Sequence, residues 1–137
     1  VIRCAPGVLE AIRRHGEADY PEECCGVLLG TADGDRRRVT RAAPLPNARP
    51  DARRRRFLVT AEDYRAAERD AEARGLTLIG FYHSHPDHPA RPSAYDLEHA
   101  LPWHAYLVLA VEAGRALECT AWVLAADRSR FEPEGLD

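Results

Sequence analysis

The stretch that most limits what this chain can become runs Leu76-Thr77-Leu78-Ile79-Gly80-Phe81-Tyr82-His83 and continues as Ser84-His85-Pro86. A near-continuous apolar run of this length reads as a central strand buried on both faces. Such a strand needs a sheet covered from both sides. The run ends in two histidines one residue apart. Side chains at i and i+2 of a strand share a face, so both imidazoles can reach one ion. Pro86 stops the ladder directly after the second histidine, because it has no N–H to donate. Ser93 and Asp96 follow, and the whole segment reads H-x-H-x7-S-x2-D.

Other elements arrange themselves around that strand. Val1 to Cys4 reads as a short strand and Pro6 to Ala18 as a helix, with Val8, Ala11 and Ile12 on one face. Pro21 ends helical structure, and Cys24 to Gly30 is a short apolar run bounded by Pro and Gly, hence a buried strand. Ala32 to Asp35 is a turn, and Arg37 to Ala43 a strand with an arginine-rich outer face. Pro44 to Arg56 is irregular and ends in Arg53-Arg54-Arg55-Arg56. Phe57 to Thr60 reads as a further strand. Thr60 starts a helix that runs to Arg74, with Gly75 as its C-cap. Ser93 to Leu101 is a short helix. Ala105 to Glu112 and Ala116 to Leu124 are strands around Gly114, and Arg128 to Phe131 adds an edge strand. Helices bracketing a mostly antiparallel or mixed sheet is the α/β class these elements predict.

At 137 residues the chain is read as a single domain, 1–137. The net charge of -3 gives no reason to expect nucleic-acid or membrane affinity. No apolar run is long enough to span a bilayer, and the start carries no signal-peptide pattern, so a cytoplasmic location is the default expectation. Cys4, Cys24, Cys25 and Cys119 show no C-x-x-C pair and are read as reduced thiols. Every basic residue counted among the Lys+Arg is an arginine; GC-rich coding is the plainer reading, and avoidance of modification on lysine by the protein's own substrate system is the alternative. The absence of methionine means that the initiator was lost or that Val1 is not the natural start.

Two imidazoles and a carboxylate leave one position open on a tetrahedral zinc, the feature that separates catalytic from structural sites. His83, His85 and Asp96 are the candidate ligands. The open position would hold a water whose pKa falls to about 7 on zinc. A hydrolase also needs a donor for the developing oxyanion and a base. Ser93, one helical turn before Asp96, suits the donor. Glu22 and Glu23, just before the Cys24–Gly30 strand, are the candidates for the base. Each part has a plainer reading on its own. Ser93-x-x-Asp96 is nearly a capping box, a lone H-x-H is ordinary surface histidine, and Glu22 and Glu23 are ordinary solvated acids. His88, His99 and His104 are read as non-ligands, and Trp103 and Trp122 as packing residues. The joint spacing carries the metal reading.

The pattern resembles the JAMM (MPN+) family of zinc isopeptidases, in which an upstream glutamate precedes H-x-H-x7-S-x2-D. His83, His85, Ser93 and Asp96 match without gaps. Pro21-Glu22-Glu23-Cys24-Cys25-Gly26 resembles the P-x-E-x-C-G form of short bacterial members, which selects Glu23 over Glu22. The resemblance runs from about Val1 to Leu124. It implies a cytidine-deaminase-like MPN fold with a curved mixed or antiparallel sheet between helices. It implies one Zn2+ per chain, bound by His83, His85, Asp96 and water. Glu23 would be the proton shuttle and Ser93 the oxyanion donor.

The implied reaction is hydrolysis of the peptide or isopeptide bond after the C-terminal Gly-Gly of a ubiquitin-like protein. The short chain is closer to members that process sulfur-carrier β-grasp proteins. The tail would lie as an added strand beside a sheet edge, its glycines admitted by a narrow tunnel. The Arg53–Arg56 run would then face an acidic patch on the carrier; a solvated loop is the plainer alternative. Two other functions stay open on sequence: a metal-free MPN scaffold that binds a partner, and a zinc amidohydrolase acting on a small peptide-like substrate. The P-C-x-x-C ligands of zinc deaminases are absent. A homodimer is the default expectation for assembly.

Overall fold

The computed structural model describes residues Val1–Asp137. In chain order the elements are β1 (Ile2–Cys4), α1 (Val8–Asp19), β2 (Cys25–Asp33), β3 (Arg36–Leu45), α2 (Ala61–Ala73), β4 (Thr77–Pro86), α3 (Ala94–His99), β5 (Ala105–Glu112), β6 (Arg115–Leu124) and β7 (Phe131–Glu134). All seven strands join one sheet in the order β1-β3-β2-β4-β5-β6-β7. The β1/β3 and β4/β5 pairs are parallel and the others antiparallel, so the sheet is mixed, as expected.

The β4 strand sits mid-sheet and is covered on both faces, which explains its continuous apolar sequence. On one face Ile79 and Tyr82 join Val8 and Ile12 of α1, Leu28 of β2 and Leu107 and Leu109 of β5. On the other, Leu78 and Phe81 join Ala67 and Ala71 of α2, with Val27, Leu29 and Tyr106. Ile79 and Tyr82 differ in parity yet share a face. The β2–β4 register shifts between Leu28 and Leu29, and this bulge resets the alternation. Gly80 sits at the bulge, where a Cβ would run into the Ala105 carbonyl of β5. Gly26 has the same purpose on β2, since a Cβ there would strike the Tyr82 ring.

The helices begin and end as their sequences dictate. The Thr60 hydroxyl accepts from Asp63 N at 3.1 Å, capping α2, and Gly75 follows its end at φ 69°. No helix is long and apolar enough to cross a membrane.

Three expectations need correction. Phe57–Thr60 is not a strand: it is extended chain with no ladder, used to cover the site and to cap α2. The last strand is Phe131–Glu134 rather than Arg128–Phe131, because Asp127 Oδ1 accepts from Ser129 N at 3.0 Å and folds that segment into a turn. Pro133 is tolerated there because β7 lies at the sheet edge. Trp103 is not a packed core residue. It is 41% exposed, with φ 73° and the Arg37 guanidinium 4.9 Å from its ring centroid.

Candidate metal centre

The β2–β4 ladder builds the site. Its register pairs Cys25 with His83 and Gly26 with Tyr82. Beyond the assigned strand, Ser84 N donates to Cys24 O at 3.1 Å, and Cys24 N donates to Ser84 Oγ at 2.8 Å. Antiparallel pairing continued one residue further sets Glu23 opposite His85. Glu23, His83 and His85 therefore lie on one face of the sheet, and Cys24, Tyr82 and Ser84 face the other way, toward α1.

His83 and His85 are buried at the end of β4. Asp96 reaches them from the first turn of α3. His83 Nε2, His85 Nε2 and Asp96 Oδ2 form a triangle with 3.1 Å sides. A tetrahedral zinc with bonds of about 2.0–2.1 Å spaces its ligand atoms by roughly 3.3 Å, so the donor set and its spacing both fit that ion. The three atoms converge closely enough that they could hold one metal ion. His85 Nδ1 lies 2.9 Å from the Pro89 carbonyl. That bond keeps the proton on Nδ1 and leaves Nε2 free as a ligand.

Ser93 is the N-cap of α3. Its Oγ accepts from Asp96 N at 3.1 Å, and Asp96 Oδ2 accepts from Ser93 N at 2.8 Å, a reciprocal capping box. The cap orients the carboxylate and leaves the Ser93 O–H proton unused by it. Cap and candidate ligand are thus one device here.

Glu23 is 3% exposed and its Oε1 has no hydrogen-bond partner. Glu22 beside it is exposed. A buried carboxylate oxygen without a donor calls for a bound group in front of it. Burial pushes the Glu23 carboxyl up to about 8; the His85 charge pulls it down and the Asp96 charge adds to the rise. Burial also acts to raise Asp96, but His83 and His85 outweigh it and hold that carboxyl well below the carboxylate range. Burial lowers His83. These directions favour a charged Asp96 and a neutral His83, the forms that bind a metal. Burial also acts to lower His85, but its hydrogen bonds to Asp96 and the Pro89 carbonyl outweigh it and raise it.

Sequence reasoning missed the residues that complete the surroundings. Asn47 ties Glu23 to the irregular segment. Its Nδ2 donates to Glu23 O at 3.2 Å and to Arg56 O at 3.0 Å, while its Oδ1 accepts from Arg49 N and Leu58 N. Glu23 N donates to Arg53 O at 2.7 Å. Both backbone groups of Glu23 are thereby held by the 47–58 segment. The Phe57 ring stacks on His83 at 4.6 Å, and Tyr95 OH donates to Phe57 O. An Asn inside a Pro-rich stretch hints at an organised turn, but nothing local tells which distant carbonyl it will bind.

Beside His83 and Asp96 opens a cavity of about 500 Å³, walled by Phe57, Val59, Tyr64, Phe81, Leu101 and Tyr106. It is an open-sided, aromatic groove rather than the narrow glycine tunnel expected. His99 lines its rim, whereas His88 is exposed; neither joins the triangle.

Residues 5–129 match the family described as prokaryotic homologs of the JAB domain. The chain belongs to this prokaryotic JAB family. It is similar to the desampylase of Haloferax volcanii, at 36% identity over 84% of this chain and 80% of that protein. It is also similar to a probable TtuB-protein conjugate cleaving protease of Thermus thermophilus, at 34% identity over 80% of this chain and 70% of that protein. A JAB1/MPN domain protein from Archaeoglobus fulgidus shares its fold, with a TM-score of 0.62 at 17% identity over 100% of this chain and 95% of the other. The JAB1/MPN fold expected from the H-x-H-x7-S-x2-D motif is the observed one.

Proposed function

We propose that this JAB-family chain is a zinc metallopeptidase that cuts the peptide or isopeptide bond after the C-terminal Gly-Gly of a ubiquitin-like or sulfur-carrier β-grasp protein. The names of its two relatives, a desampylase and a conjugate-cleaving protease, support a protein-conjugate substrate. The observation that carries the reading is a buried glutamate oxygen without a partner, Glu23 Oε1, next to three converging ligand atoms. His83, His85 and Asp96 would hold the ion, one per chain. When bound, zinc supplies Lewis-acid polarisation of the scissile carbonyl and lowers the pKa of water toward about 7.

The chain's own residues do the rest. Glu23 accepts the proton of the attacking water as its oxygen bonds to the carbonyl carbon. It returns that proton to the leaving nitrogen as the C–N bond breaks. A carboxyl pushed up to about 8 is matched to giving as well as taking a proton near neutrality. Ser93 donates its O–H to the carbonyl oxygen as charge builds there. Asp96 positions Ser93 through the capping box. Four free cysteines, each with its thiol pushed up by burial, support work in a reducing, cytoplasmic setting.

The test is mass spectrometry on a sulfur-carrier protein that bears extra residues, or a lysine conjugate, after Gly-Gly. Loss of the extension, blocked by a chelator and restored by zinc, is the expected result. Glu23→Gln is expected to lose about 10³-fold in kcat while keeping one zinc per chain. Turnover retained in Glu23→Gln would remove the proposed base.

A further inference from the structure

The arginine-rich segment has more charge than the fold uses. Residues 49–56 hold five arginines and one aspartate, in a chain of net charge -3. Three of the five are occupied. Arg49 pairs with Asp51 at 2.7 Å. Arg53 Nε donates to Arg49 O at 2.6 Å. Arg56 lies over the Tyr95 ring, 4.9 Å from its centroid. The side chains of Arg54 and Arg55 are exposed and make no hydrogen bond or ion pair.

Their neighbours fix where they stand. Arg53 O accepts from Glu23 N, and Arg56 sits on Tyr95, the residue before Asp96. Phe57 stacks on His83. A two-residue stretch between those anchors cannot leave the rim of the site. Like charges on neighbouring residues repel one another, and neither of these two guanidinium groups is in an ion pair. The repulsion is relieved when an acidic surface approaches.

We infer that Arg54 and Arg55 form the electrostatic docking point for an acidic patch on the globular body of the substrate protein, beside the tail that enters the site. This rests on the proposed function above and names how the same site chooses its partner. Rim charges of this kind govern encounter and KM more than the chemical step.

The experiment compares two substrates of one tail sequence: a whole β-grasp carrier conjugate and the tail peptide alone. In the double variant Arg54→Glu/Arg55→Glu, KM for the whole carrier should rise about tenfold or more with kcat unchanged. Hydrolysis of the tail peptide should not move. Rising salt should lower wild-type kcat/KM for the whole carrier and leave the variant flat. Replacing acidic residues of the carrier by lysine should restore the variant. Arg36→Glu/Arg38→Glu, on strand β3 far from the site, is the control for a general change of charge.

Unchanged KM in the double variant overturns the inference and leaves the peptidase reading intact. An equal loss in the β3 control also overturns it, because the effect would then be one of net charge. Binding of a single-stranded oligonucleotide that is lost in the double variant, with carrier KM unmoved, would assign the two arginines to nucleic acid instead. Wild type that cleaves neither substrate fails the peptidase reading itself.

Discussion

The candidate ligands and the candidate base lie within one site but are held by different means. His83 and His85 belong to β4, whose backbone is laddered on both sides, to β2 and to β5. Glu23 lies two residues before the start of β2. Its backbone is held by the 47–58 segment, through Asn47 Nδ2 and Arg53 O. The first arrangement is regular and local in pattern, with the same partners repeated residue after residue. The second depends on one side chain with four bonds and on one backbone bond, from Glu23 N to Arg53 O. The histidine pair should therefore tolerate loss of a single polar contact, whereas the position of the base should not.

The most damaging way to test that contrast is Asn47→Leu. It removes the two bonds that Asn47 Nδ2 donates, to Glu23 O and Arg56 O, and the two that its Oδ1 accepts, from Arg49 N and Leu58 N. We expect kcat to fall about 100-fold, the cost of misplacing a reacting group by about 1 Å. KM for a tail peptide should change much less, and zinc should still bind at one per chain because its ligands come from β4 and α3. Zinc loss would show that the segment also builds the triangle. Unchanged kcat would show that the β2–β4 ladder suffices to place Glu23.

The same contrast decides what could be read from the sequence. Periodicity and spacing reveal β4, the His pair and the Ser93–Asp96 turn, because each is a pattern within a few residues. The reading of Ser93-x-x-Asp96 as either cap or site proved a false choice, since the cap is what aims Asp96 at the histidines. The choice between Glu22 and Glu23 needed the family resemblance, and burial then separates them in the structure. Phe57-Leu58-Val59 has strand composition but no neighbouring strand to pair with, so its apolar side chains wall the groove instead. Asn47 and Arg37 act through distant carbonyls, at Glu23 and Trp103, which no local pattern encodes.

A second prediction concerns the cost of keeping Glu23 buried in metal-free protein. Burial holds its pKa at about 8 in the folded protein, above the ordinary carboxylate value of 4.5. The folded state therefore holds this proton more tightly than the unfolded chain does. The stability that goes with the bound proton is fully present below pH 4.5 and is lost as pH rises through 8. Glu23→Gln has no such proton to lose. Chelated variant and chelated wild type should differ little in the pH dependence of Tm near pH 5. By pH 9 the variant should have gained Tm relative to wild type, with the gap opening between pH 5 and pH 8. A gap independent of pH would mean that the carboxyl is solvated.

The smallest effect is expected from the ladder side. Ser84 is fully buried, and its Oγ accepts from Cys24 N at 2.8 Å. Ser84→Ala leaves that N–H without its acceptor, a loss of about 1–2 kcal/mol for a buried donor. The backbone bond from Ser84 N to Cys24 O survives the substitution, as does the β4–β5 pairing on the other side. His83 and His85, on either side of residue 84, should keep their positions. Tm should fall by a few degrees. Zinc content and kcat should stay within about twofold of wild type, because the histidines are fixed by backbone ladders and Asp96 by its cap on α3 rather than by this hydroxyl. A large loss of kcat with zinc retained would instead mean that Glu23 is placed from the β2 side as well. The sharp division between ladder and loop would then have to be given up.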